Sequence, residues 1–117
     1  NVICKQLDEC LSGLYENELE NIVVAYEPIW AIGTGQTATG KQIEEAVSII
    51  REEIARLYTD KAAKNIVVLY GGSVKPDNVK NFINIKNLNG FLVGGVSLDA
   101  KAFSELIQVY VGKPVKK

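Results

Sequence analysis

Apolar and polar positions along this chain follow two alternating rhythms, one helical and one extended. Near the N-terminus Val2, Ile3, Leu7, Leu11 and Leu14 recur at helical spacing, and Gly13 suits a helix end. Residues 22–26, Ile-Val-Val-Ala-Tyr, form a short uncharged run that reads as a buried strand. Thr39-Gly40-Lys41-Gln42 has the form of a capping box, and Ile43, Ala46, Val47, Ile50, Ile54 and Leu57 then share one helical face. Residues 66–70 are a second buried strand, uniformly apolar rather than alternating. Pro76 fits the first turn of another helix, with Val79, Phe82 and Ile83 inward. Residues 91–93 make a third short strand, and Asp99 is placed to cap a final helix carrying Phe103, Leu106, Ile107 and Tyr110. From Gly112 onward the chain reads as a frayed tail.

The predicted order is α-β-α-β-α-β-α, with no linker or low-complexity tract, so residues 1–117 are read as a single domain. Continuous apolar strands alternating with amphipathic helices imply a parallel sheet covered by helices. Each strand leads into a glycine-bearing turn: Gly33 and Gly35, then Gly71 and Gly72, then Gly94 and Gly95. Parallel strands send all three turns to one side, which makes that side a candidate ligand site. Glu27 stands there too. It follows the apolar run 22–25 and precedes Pro28, which cannot continue a sheet ladder and holds Glu27 extended.

Charge narrows the partners. Thirteen basic and fourteen acidic residues leave a net charge of −1, which argues against a nucleic-acid or membrane surface as partner. No apolar run approaches the roughly 20 residues of a membrane span, and nothing resembles a signal peptide. Cys4 and Cys10, if on one helix, are separated by about 9 Å of rise, too far for a disulfide. With no histidine and no cysteine besides these two, a zinc site is not expected, and no metal is assigned. The expectation is a reduced, cytoplasmic protein that must import any imidazole its chemistry needs.

Two generic phosphate motifs nearly match. Gly33-Thr-Gly35-Gln-Thr-Ala38 fits the dinucleotide pattern, but residues 27–32 separate it from its strand, and the acidic residues some 20 positions on, Glu52 and Glu53, fall inside a helix. Gly35-Gln-Thr-Ala-Thr-Gly40-Lys41 fits the Walker pattern, but Gln42 stands where Ser or Thr must bind magnesium. Both are read as accidental. The third reading uses the turns together: backbone N–H groups of Gly33, Gly94 and Gly95, with the Ser73 hydroxyl, around one phosphate, and a helix start near 96–99 adding its dipole.

Three stretches carry a family resemblance. Ala-Tyr-Glu-Pro-Ile-Trp-Ala-Ile-Gly-Thr-Gly at 25–35, Tyr-Gly-Gly-Ser-Val at 70–74 and Gly-Phe-Leu-Val-Gly-Gly at 90–95 resemble, in this order, the triosephosphate isomerase family. The likeness extends over essentially the whole chain. It implies an isomerase of glycolysis and gluconeogenesis that interconverts dihydroxyacetone phosphate and glyceraldehyde 3-phosphate by proton transfer through an enediolate, without a cofactor. By resemblance Glu27 is the catalytic base. Pro28, Ile29, Trp30, Ala31, Ile32, Gly33, Thr34 and Gly35 match the lid, with Trp30 as a packing anchor in it. Gly33, Ser73, Gly94 and Gly95 match the phosphate binders, and Tyr70 and Ser73 match the side chains that latch the closed lid to Ala38 and Gly35. Lys41, Lys75 and Lys101 are read as solvated helix-start residues.

A barrel of this kind has eight βα units in roughly 250 residues. The resemblance here covers about the last three, preceded by one helix: a C-terminal fragment of a (β/α)8 barrel. The neutral histidine that polarises the substrate carbonyl, the lysine of the first loop and the loop through which family dimers interlock are absent. Gly40 and Val96 stand where proline and alanine are common. The fragment is therefore expected to be inactive alone and to associate with the missing N-terminal half or with a second copy as a homo-oligomer. A non-catalytic, self-associating half-barrel that binds phosphate is the alternative. Either way, three strands leave two edges, around 22–26 and 91–93, and are expected to bare the inner faces of Val23, Val68 and Leu92.

Overall fold

Helix α2, Gly40–Leu57, begins where its sequence says it should. Thr39 is extended, its hydroxyl accepts the Gln42 N–H at 3.1 Å, and the Gln42 carboxamide accepts the Thr39 N–H at 2.9 Å. Two otherwise orphaned donors are satisfied, which fixes the first turn. The stripe Ile43, Ala46, Val47, Ile50 and Ile54 is buried. It faces a three-stranded parallel sheet made of β1, Val23–Tyr26; β2, Val67–Gly72; and β3, Gly90–Val93, in the order β1-β2-β3. The chain is described here through a computed structural model covering residues 2–31 and 37–112. Helix α1, Val2–Leu11, runs before β1 and α4, Ala100–Tyr110, follows β3, capped by the Asp99 carboxylate accepting the Ala102 N–H.

Two expected elements differ. A short helix α3, Asp60–Asn65, intervenes between α2 and β2, capped by the Thr59 hydroxyl. Its six residues hold only Ala62 and Ala63 as buried apolar positions, too little for a visible stripe. After Pro76, by contrast, no α-helix forms. Asn78 accepts the Lys75 N–H with its carboxamide oxygen and donates its NH2 to the Ser73 carbonyl, both at 2.8 Å. Such side-chain bonds compete with a helical ladder, and only a 3-10 turn at Val79–Asn81 follows. Val79 and Phe82 are nevertheless buried as expected, whereas Ile83 is only half-buried.

Register decides which strand residues are bare. Val23 pairs with Val67, Ala25 with Leu69, and Gly71 with Leu92. Because side chains alternate, these share one face, which the described helices leave largely uncovered. Val23, Val67 and Leu92 are 56, 39 and 47% exposed. Val68, expected on that bare face, points the other way and is 0% exposed, packed in the helix-covered core. A reading one residue out of phase exchanges the two faces of a strand. The other correction lies on α4, where Ile107 and Tyr110 are exposed while Leu106 is buried. Both line an apolar groove of ≈ 360 Å³ along the open edge of β3.

Polar pins hold the helices at the N-terminal ends of the strands. The Arg51 guanidinium donates to the carbonyls of Ala63 at 2.6 Å and Ile66 at 2.9 Å, to that of Asn87 at 2.6 Å, and to the Asn89 carboxamide oxygen at 2.8 Å. That same oxygen accepts the Val68 N–H, so one side chain ties α2 to the start of both β2 and β3. Between α1 and α2, Arg56 bonds Glu53 at 2.5 and 2.9 Å and Asp8 at 3.1 Å. The Arg56 guanidinium, helped by Asp8, holds the Glu53 carboxyl down at about 2. Cys4 and Cys10 are free thiols.

Candidate active site

The C-terminal ends of the three strands lie at one end of the sheet, and the chemistry-bearing residues emerge there. Glu27 is the first residue beyond β1 and is exposed. Its side chain crosses to the neighbouring strand and lies over Gly71 of β2: a Cβ on Gly71 would stand 2.6 Å from the Glu27 Cγ and 2.8 Å from Oε1. Gly71 is buried although it sits on the otherwise bare face. The carboxylate is therefore at the mouth end of the face that a closed barrel would turn inward.

On the opposite face of the same strand, Tyr70 is fully buried. Its hydroxyl accepts the Ala38 N–H at 3.0 Å and stands 3.2 Å from the Thr37 Oγ1. Gly72 leaves room for this ring, because a Cβ there would run into the Tyr70 hydroxyl. Tyr70 also sits in a series of packed rings, with Tyr26 at 6.4 Å on one side and Phe82 at 5.9 Å on the other, and Phe82 in turn 6.3 Å from Phe91. The chain segment entering α2 is thus anchored to β2. Tyr70→Phe removes the acceptor that the described residues give the buried Ala38 N–H, at a cost of about 1–3 kcal/mol. Hydrogen exchange at the Ala38 amide is expected to accelerate together with a lowered melting temperature; unchanged exchange would contradict the anchoring.

The turns after β2 and β3 complete the rim. Ser73 follows Gly72, and its carbonyl is held by Asn78. Gly94 and Gly95 lead into a 3-10 turn at Gly95–Leu98, where the Ser97 N–H and hydroxyl both bond the Gly94 carbonyl, at 2.9 and 2.6 Å. Both glycines are exposed, and nothing among the described residues lies within 4 Å of a Cβ on either. Below the rim, an open groove of ≈ 720 Å³ runs between α1 and the free edge of β1 and reaches Glu27, Pro28, Ile29 and Trp30.

A family model described as triosephosphate isomerase matches residues 1–110. The chain belongs to the triosephosphate isomerase family. A triosephosphate isomerase of Geotalea uraniireducens is 48% identical over 107 residues, covering 92% of this chain and 43% of its own length. One from Malacoplasma penetrans is 43% identical over 109 residues, covering 93 and 44% respectively. A third, from Lactobacillus helveticus, is 47% identical over 102 residues, 87% of this chain and 40% of its own. The chain spans less than half the length of these triosephosphate isomerases.

Against the positions singled out by the family resemblance, the structure brings Glu27, Ser73, Gly94 and Gly95 to the same end of the sheet, with Tyr70 bonded to Ala38 beneath them. Pro28 is buried, and Ile29–Ala31 form a 3-10 turn with Ile29 and Trp30 exposed. Ile32, Gly33, Thr34 and Gly35, assigned to the lid, lie outside the described residues, and with them the Gly33 phosphate contact and the Ser73–Gly35 latch. Two residues matter here in ways the sequence did not assign: Gly71, expected in a turn but lying within β2 beneath Glu27, and Thr37, beside the Tyr70 hydroxyl. Gly71 had a signal, since one of two adjacent strand-end glycines must face the same side as Glu27. Thr37 had none.

No helix among the described residues is long and apolar enough to cross a membrane.

Proposed function

We propose that this chain is the C-terminal part of a triosephosphate isomerase barrel and carries its base, lid and phosphate loops. The observation that supports this most is Glu27: a carboxylate at the C-terminal end of a parallel strand, lying over Gly71 on the face a barrel turns inward. Barrel enzymes place their chemistry at that end. Glu27 removes a proton from the carbon beside the substrate carbonyl and returns it to the neighbouring carbon. The pairing of such a carboxylate base with a neutral histidine in triosephosphate isomerase is a standard example of acid–base tuning, and the histidine comes from outside this chain, which has none.

Ser73, Gly94 and Gly95, with Gly33, hold the substrate phosphate. Loops after the last two strands of such barrels frequently serve this purpose, and glycine lets backbone N–H groups approach the anion closely. Pro28 to Gly35 close over the site and Tyr70 and Ser73 latch them, in an enzyme whose loop closure is itself a standard example of lid gating. The full reading is a cytoplasmic, homo-oligomeric glycolytic enzyme acting on triose phosphates. In that reading residues 1–117 are one partial barrel domain.

The test is a coupled isomerase assay. The chain alone is expected to be silent, because developing charge on the enediolate oxygens is left without its electrophile, and such stabilisation is often the largest part of catalysis. Adding a polypeptide that supplies the N-terminal part of the Geotalea uraniireducens relative is expected to restore turnover. A stable, well-folded complex without turnover would contradict the reading and favour a non-catalytic phosphate-binding module.

A further inference from the structure

We infer that Gly71 is the positioning residue for Glu27, an inference that rests on Glu27 acting as the base. Glycine is not demanded there by the backbone: Gly13 and Gly112 are the glycines with positive φ among the described residues, and Gly71 lies inside a regular parallel ladder opposite Leu92. It is demanded by space. A Cβ at this position would lie 2.6 Å from the Glu27 Cγ, 2.8 Å from Oε1 and 3.0 Å from Cδ, so any larger residue occupies the volume where the carboxylate arm rests.

What a methyl group at 71 meets is a flexible side chain rather than backbone. The strand is held on both sides by β1 and β3, so the arm yields and the ladder does not. Gly71→Ala therefore leaves the fold intact and moves the carboxylate off its seat. Gly71 sets where the base stands above the sheet, and thereby its distance to a substrate carbon at the barrel mouth. Displacing a reacting group by about 1 Å costs on the order of 10²-fold in rate.

The experiment compares wild type and Gly71→Ala in the barrel assembled from this chain and the N-terminal part of the Geotalea uraniireducens relative. The expected result is kcat lowered by about ten- to a hundredfold, KM within about threefold and an unchanged melting temperature. A folded Gly71→Ala barrel with wild-type kcat overturns the inference. A second readout needs no turnover: in the carbon-13 spectrum of the assembled barrel with only this chain labelled, the Glu27 carboxyl resonance is expected to shift in Gly71→Ala while those of Glu18 and Glu53 stay in place. An unmoved Glu27 resonance overturns the inference as well. If the wild-type assembly does not isomerise, the enzymatic reading fails, and the Glu27 resonance alone decides whether Gly71 positions it.

Discussion

Glu27→Gln in the assembled barrel is expected to lower kcat by roughly 10²- to 10⁴-fold, the range a positioned general base supplies. Glutamine keeps the length and shape of the side chain, so it can rest over Gly71 as glutamate does. It removes only the ability to accept the substrate proton at neutral pH. KM for a triose phosphate should change little, because Ser73, Gly94 and Gly95 are assigned to the phosphate and stand on other strand ends. The measurement is steady-state kinetics in both directions of the isomerisation. Retained kcat in Glu27→Gln would remove Glu27 from the mechanism. A large rise in KM with kcat unchanged would move it from base to binding residue.

The second large effect concerns assembly. Both outer strands of the described sheet, β1 and β3, have one unpaired edge, and unpaired N–H and C=O groups are templates for further pairing. The sheet face away from the buried core exposes Val23, Val67 and Leu92, and apolar grooves run along both edges, beside α1 and beside α4. At roughly 25 cal/mol per Å², every 200 Å² of this surface left in water forgoes about 5 kcal/mol, as much as the whole stability of a marginal domain. The 117-residue chain by itself is therefore expected to self-associate or to aggregate at micromolar concentration, and to become monodisperse when the N-terminal part of a relative is supplied. Light scattering over a dilution series, with and without that partner, gives the answer. A compact monomer with a sharp cooperative melt would show that both edges are covered by some other means.

Elements with strong local signals were legible from the sequence. The capping box at Thr39, the buried stripe of α2 and the Asp99 cap are formed by residues within one helical turn or one face of each other, and they occur where the pattern put them. The bounds of the three strands were legible for the same reason, to within one or two residues, but β1, expected to be buried, has no buried residue, because it is an outer strand whose far edge and one face are open. Where a signal was short or contested, the pattern failed. Six residues of α3 carry too few apolar positions to be read, and Asn78 redirects the backbone bonds on which a helix after Pro76 would depend.

The candidate site divides in the same way. That Glu27 precedes a proline and ends an apolar strand, and that Gly94 and Gly95 follow the third strand, is written in the chain and independent of packing, whereas Gly71 and Gly72, expected in a turn, are paired residues of β2. The family, too, follows from the residues themselves, because its motifs are contiguous. Which strand face is bare is not. It depends on the register Val23 to Val67, a pairing across 44 positions of sequence, and it places Val68 in the core instead of on the open face. Nor does the sequence contain the meeting of Glu27 with Gly71 or of Tyr70 with Ala38. Those contacts join residues 44 and 32 positions apart, and only the parallel ladder, by bringing β1 beside β2, sets the carboxylate over the one position whose missing side chain leaves it room.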